Sequence, residues 1–255
     1  MPVHRAIALA LITACGRIGF DQARIPGDGL GTAADAPPLT SGLVAYYPMD
    51  AITPVAPFSA QAQTLVDATP NHLDGTCNNF GCVAMVPGVI GGAYAFSSTG
   101  AFLVADAPAL RLTSAFTVAA WLQRANESSA FAKVQAAGAG ASWELGLFAG
   151  ATYFCTDHDL GPTGEDCMVT GVPVAATWQH VAMVFDGGQK TLYLDGAVIG
   201  TMTVAPPAYD ASPMVVGADE ENGTIKGYLS GAMDELRIYD RALSATEVAA
   251  LRDLR

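Results

Sequence analysis

Few residues in this chain have the type and spacing that chemistry requires. Glu144 stands alone in the apolar run Trp143-Glu-Leu-Gly146, and strand alternation sends the neighbours Asp234 and Glu235 to opposite faces. Retaining glycoside hydrolysis needs two carboxyl groups about 5 Å apart, which on a strand means acids two or four positions apart. No E-x-D-x-E run occurs. Of the histidines His4, His72, His158 and His180, the last lies inside the apolar run Trp178–Phe185 and reads as structural. His158 stands among Asp157, Asp159, Glu165 and Asp166, a grouping open to two readings: a metal site or a solvated polar loop. No catalytic residue is assigned.

Binding chemistry is better represented. A sugar-binding face needs aromatic rings to stack on pyranose faces, with amides or carboxylates to bond hydroxyls. Trp143, Tyr153, Tyr209 and Tyr228 are the candidates for that role. The same rings also serve as ordinary sandwich packing. Trp121 and Trp178 fall in the strongest apolar runs and are assigned to the core.

The five cysteines divide into one and four. Met1-Pro-Val-His-Arg5, then the apolar run Ala6–Ile12, then Thr13-Ala14-Cys15 give a charged head, a short greasy middle and a small-residue exit. The ending Ile12-Thr-Ala-Cys15 has the form of a bacterial lipobox, so residues 1–14 are expected to be a signal peptide and Cys15 the acylated residue. In an oxidising compartment the remaining four favour disulfides. Cys77 with Cys82 and Cys155 with Cys167 are the local pairing, one of three connectivities that four cysteines allow.

A formal net charge of -12, with Lys133, Lys190 and Lys226 the only lysines, leaves no basic patch to neutralise phosphates. Nucleic acid is therefore excluded as an expected partner. The hydrophobic fraction of 51% is ample for a core. Residues 15–41, rich in glycine and proline after Cys15, read as a flexible linker, and residues 42–255 as one domain.

The elements that must position these residues are short strands separated by Gly, Pro, Asn and Asp, the texture of an all-β domain. Strands are expected at Leu43–Tyr47, Ala93–Phe96, Phe102–Ala105, Phe116–Gln123, Ser142–Phe148, Trp178–Phe185, Thr191–Leu194 and Ala232–Tyr239. Phe116–Gln123 is apolar on both faces, as a central covered strand would be. Asp186-Gly-Gly188 and Asp195-Gly196 supply turns for a three-strand antiparallel meander. In the last strand, alternation sets Met233, Glu235, Arg237 and Tyr239 against Asp234, Leu236 and Ile238. One helix is expected at Ser244–Leu254, opened by an S-x-x-E capping box of Ser244 and Glu247.

Five stretches in order carry a family resemblance: Gly42–Asp50, Asp67–Thr76, Gly92–Phe96 with Phe116–Trp121, Trp178–Asp186 with Leu192–Gly196, and Gly231–Ser244. Together they resemble the laminin-G-like jelly rolls of the concanavalin A-like lectin and glucanase superfamily. The resemblance implies a two-sheet antiparallel jelly-roll β-sandwich with its first and last strands side by side. It also implies a structural calcium between the early strand and the last, held by Asp50 and Asp234, with Asn71 or Asp74 added from the second stretch. Asp67, Asn71 and Asp74 have an alternative use in shaping a turn. Two departures from the family pattern are the longer insert between Asp50 and Asp67 and an enlarged, disulfide-closed loop from Cys155 to Cys167.

The expected function is a non-catalytic binding module of the cell envelope, lipid-anchored to a membrane, that recognises a glycan or an envelope protein. The alternatives are a glycoside hydrolase with an atypical carboxylate pair and a purely structural or adhesion protein.

Overall fold

A computed structural model describes residues 39–54, 63–77, 82–125, 127–136, 140–148, 150–161, 164–221 and 223–254. The expected signal peptide, Cys15 and most of the linker lie outside the described residues. Two antiparallel sheets pack face to face. In the first, neighbouring strands run Ala197–Thr203, Gln189–Leu194, Gln179–Phe185, Phe116–Arg124, Ser230–Tyr239, Gly92–Ser97 and Val83–Pro87. Leu43–Tyr47 pairs with the far half of Ser230–Tyr239, Leu43 opposite Tyr239, so the first and last strands lie side by side. The second sheet runs Glu165–Val169, Ala151–Asp157, Ala141–Phe148, Ser128–Val134, Met214–Val216, Phe102–Val104, Gly75–Cys77, Gln63–Leu65 and Thr53–Pro54. This is the jelly-roll sandwich, and the meander from Gln179 to Thr203 is part of it.

The core forms where the apolar faces meet. Val118, Ala120 and Leu122 of the first sheet pack with Phe131, Trp143 and Phe154 of the second. Phe116 stands 6.1 Å from the Trp143 ring and 5.4 Å from the Phe185 ring. The outer face of the first sheet is covered by the helix Ala245–Asp253, whose Val248 and Leu251 pack on Ala119, Ala182 and Tyr239. Ser244 caps it: its hydroxyl accepts from the Glu247 amide at 3.3 Å, and the Glu247 carboxylate accepts from the Ser244 amide at 2.8 Å.

Three expectations change. The alternation of the last strand breaks at Glu235, which sits at φ 57° in a bulge against Phe116–Arg124. One extra residue there puts Met233 on the core face with Leu236 and Ile238. The segment from Cys155 to Cys167 is not an irregular loop but a hairpin, with Cys155 directly opposite Cys167 and a bridge joining them. Trp178 stops one residue short of its strand and is only half-buried. The other bridge joins Cys77 to Cys82.

Candidate functional site

Three strands of the second sheet, Ala141–Phe148, Ala151–Asp157 and Glu165–Val169, pair in the stretch from Trp143 to Val169 without a slip between first and second or second and third. Period-two alternation therefore sorts their side chains strictly. Leu145, Leu147, Phe154 and Met168 enter the core. Glu144, Gly146, Phe148, Tyr153, Cys155, Asp157, Glu165 and Cys167 share the outer face. Gly146 matters there, because a Cβ on it would stand 2.8 Å from the Phe148 ring. The Phe148 ring lies over that vacant spot, edge-to-face with Tyr153 at 5.9 Å between centroids. The pair is a small aromatic platform.

Polar groups flank it. The buried Glu144 carboxylate accepts from the Ser129 hydroxyl at 2.5 Å. The Ser129 amide in turn donates to the Gly227 carbonyl at 2.7 Å, which brings Tyr228 to the same face, where it packs beside Ala132, Val134 and Val215. Tyr153 and Tyr228 are both half-buried.

The other two aromatic candidates are placed differently. Trp143 has no exposed surface and points into the core between Phe116 and Phe131, so it offers no face to a ligand. The reason is local: Trp143, Leu145 and Leu147 form the apolar side of their strand. Tyr209 donates its hydroxyl to the Leu112 carbonyl at 2.9 Å and packs on the core's edge, and burial raises its pKa. Phe148 and Ser129 are not marked by any sequence motif. Extending the alternation of Glu144 by four residues does reach Phe148.

The acidic candidates fall into two places. Asp234 is fully buried, and its Oδ2 accepts from the amides of Val89 at 2.8 Å and Ile90 at 3.1 Å. Asp50 Oδ1 accepts from the Gly92 amide at 2.8 Å, so the turn between Pro87 and Gly92 ties the two carboxylates together. Asp234 Oδ1 has no partner. Burial, reinforced by the negative charges of Glu235 and Asp50, pushes the Asp234 carboxyl up to about 6 against the two amide bonds. Asp50 also lines a cleft of 210 Å³ with Met49, Leu65, Val66 and Tyr94.

Asn71 and Asp74 stand in another loop. Asn71 donates to the Val44 carbonyl at 2.8 Å, and Asp74 accepts from the Asp67 amide at 2.8 Å. Asp67 itself accepts from Tyr46, Thr69 and Leu73. This is a turn built on side chain to backbone bonds.

His180 is buried beside Trp121, their rings 5.5 Å apart, and burial lowers its pKa to about 4, so it is neutral at pH 7. Glu235 is engaged by the Tyr46 hydroxyl at 2.8 Å and by Arg237, whose guanidinium lies 4.3 Å over the Tyr46 ring. On the Glu144 strand no second carboxylate stands two or four residues away. Among the described residues no helix is long and apolar enough to cross a membrane.

Two antiparallel sheets with adjacent terminal strands define a lectin-like jelly roll. The chain belongs to the laminin-G-like family of the Concanavalin A-like lectin/glucanases superfamily, whose model matches residues 96–249. No curated protein matches it in sequence. Among solved structures it is similar to domain 4 of AbnA, a GH43 extracellular arabinanase from Geobacillus stearothermophilus, in complex with arabinotriose. That likeness has TM-score 0.63 and 21% identity, covering 84% of this chain and 99% of that one. The binding domain of Paraclostridial Mosquitocidal Protein 1 is similar at TM-score 0.63 and 17% identity, covering 84% of this chain and 52% of that one. The binding domain of Botulinum Neurotoxin DC in complex with SialylT is similar at TM-score 0.61 and 11% identity, again with 84% and 52% covered. The chain thus spans about half the length of the two toxin domains. At these identities the likeness is one of fold.

Proposed function

We propose that this domain is a non-catalytic glycan-binding module whose ligand lies on the outer face of the second sheet. The observation that carries the reading is the Phe148–Tyr153 platform over Gly146, with the Glu144–Ser129 pair and Tyr228 on the same face. Rings of that kind stack on sugar faces. Support comes from the arabinanase domain, which matches over nearly its whole length and is bound to arabinotriose. A lone Glu144 already held by Ser129 speaks for binding rather than hydrolysis, since hydrolysis needs a paired acid.

Screening the full chain against a glycan array tests this. A binding sugar should lose at least about fivefold in affinity with Tyr153→Ala or Phe148→Ala, because one stacked ring contributes on the order of 1 kcal/mol or more. Tyr209→Phe should bind as the wild type does. Unchanged binding in both platform variants, or hydrolysis of the bound glycan, would overturn the proposal.

Two further elements belong to this reading. Asp50 and Asp234 suit a structural calcium, since calcium takes carboxylate and carbonyl oxygens and the buried Asp234 Oδ1 has no other partner. Export is supported by the two disulfides. Acylation of Cys15, with residues 15–41 as the tether, would anchor the module to the cell envelope; loss of labelled palmitate from a Cys15→Ser chain checks it.

A further inference from the structure

The strand ladder carries the aromatic platform on to a third strand. Gly146 stands directly opposite Tyr153, and Tyr153 directly opposite Val169. The three positions form one row on the outer face, across Ala141–Phe148, Ala151–Asp157 and Glu165–Val169, and the Phe148 ring fills the spot that Gly146 leaves vacant. Neighbouring strands lie about 4.8 Å apart, so the row runs roughly 10 Å from the first strand to the third. Val169 is 54% exposed on the edge strand of the sheet, and no further strand of that sheet closes the row beyond it.

Ring geometry and charge narrow what can lie there. The Phe148 and Tyr153 rings meet at 80°, so a flat sugar face can stack on one of them but not on both. Tyr153 stands on the middle strand, between Phe148 and Val169. A ligand that touches both ends of the row therefore has more than one sugar ring. The three strands hold Glu144, Asp157, Glu165 and Asp166 and neither lysine nor arginine, in a chain of formal net charge -12. The exposed Glu165 lies four residues from Val169 on the same strand, about 13 Å along it. A carboxylated or sulfated sugar on this row would meet charge of its own sign and find no cation on these strands, whereas neutral hydroxyls would meet no repulsion.

We propose, resting on the glycan reading, that the ligand class of this face is a neutral oligosaccharide of at least two residues. It crosses the three strands from Phe148 over Tyr153 to Val169, and its chain continues past the edge of the sheet. Val169 is then a specificity residue for chain length, and the acidic residues of the same strands select against anionic glycans.

The test probes the full chain with neutral, carboxylated and sulfated glycans on an array, followed by calorimetric titration of the bound sugar as monosaccharide and as trisaccharide. Neutral chains should bind, the trisaccharide at least about fivefold more tightly than its monosaccharide. Val169→Asp should weaken the trisaccharide by about fivefold or more and leave the monosaccharide unchanged, because only the longer ligand reaches that strand. Val169→Trp should strengthen the trisaccharide by about fivefold through an added stacking ring. Val169 is exposed at an edge, so both variants should keep the wild-type Tm. Preference for anionic glycans, equal affinity for monosaccharide and trisaccharide, or trisaccharide binding indifferent to both Val169 variants overturns this inference, and the glycan reading survives if Tyr153→Ala still abolishes binding. An array without a bound glycan, or binding that Phe148→Ala and Tyr153→Ala leave intact, overturns the glycan reading and this inference with it.

Discussion

Replacing Asp234 by asparagine should stabilise the calcium-free protein at neutral pH. The side chain keeps its shape, and the asparagine oxygen can still accept from the Val89 and Ile90 amides. What disappears is a buried negative charge with one oxygen unpartnered. Because burial lifts the folded pKa to about 6 from 3.8, the folded state holds a proton that the unfolded state has released anywhere between those values. The cost is therefore absent below pH 3.8, grows through the window and is complete above about pH 6. Its ceiling is about 3 kcal/mol, and screening through the exposed Asp50 side reduces the expected gain to about 1–2 kcal/mol. For a domain of this size that is roughly 2–8 °C in Tm.

Thermal melts of both chains in chelator, at pH 4 and pH 7.5, would show the variant ahead only at the higher pH. Saturating calcium should reverse the order, since an ion bound only by the native wild type adds about 2.7 kcal/mol at a hundredfold excess over its Kd. A variant that melts lower than wild type at pH 7.5 in chelator would refute the charge argument. A wild-type Tm indifferent to calcium would remove the metal from Asp50 and Asp234.

Three other expectations rest on separate observations. His180 is neutral in the fold with a pKa near 4, while the unfolded chain takes up its proton below 6.5, so stability should fall as pH drops from 6.5 to 4, by up to about 3 kcal/mol; His180→Leu should flatten that part of the pH profile in denaturant titrations. Leu251→Ala, which empties the seam between the helix and the first sheet, should cost about 2–4 kcal/mol by urea unfolding, with the β-sheet circular dichroism retained. Cys155→Ser with Cys167→Ser should cost about 2–3 kcal/mol and make the hairpin the first segment to exchange its amides, as mapped by hydrogen exchange.

Much of the fold was legible because its strands carry clean signals. Phe116–Gln123 declared itself by apolar residues on both faces, Ala232–Tyr239 by its alternation up to the bulge, and Ser244 with Glu247 marked the helix start. Ser128–Val134 gave no such sign, since all seven residues are buried and the outer face it shares is itself covered near Tyr228. Nor does alternation foresee a bulge. Glu235 takes a positive φ at the bulge, where its carboxylate meets Arg237 two residues on and Tyr46 of the first strand, a contact not visible along the chain. The hairpin from Ala151 to Val169 was obscured by its acidic, glycine-rich tip, although the even spacing of Tyr153, Cys155 and Asp157 records its face. Of the aromatic candidates, Tyr153 and Tyr228 reach one surface, whereas Trp143 is drawn inward by the same rule that places Leu145 and Leu147.

A sandwich has two outer faces, and here they have been put to different uses. On the first sheet, the helix seals Ala119, Ala182 and Tyr239, while Trp121, His180 and Glu235 are buried on the strands alongside. That surface serves stability. On the second sheet the outward residues of the inserted hairpin are a ring on a glycine, a disulfide and a run of carboxylates, with Val169 more than half exposed at the edge. Such residues contribute little to packing, and the buried, unpaired Asp157 opposes it. A strand pair that combines a locked register with unsatisfied groups on its outward side is best explained by a partner that satisfies them. The disulfide then has a clear physical role, because it holds the two strands behind the aromatic platform in register before any ligand arrives, so that less ordering entropy opposes binding.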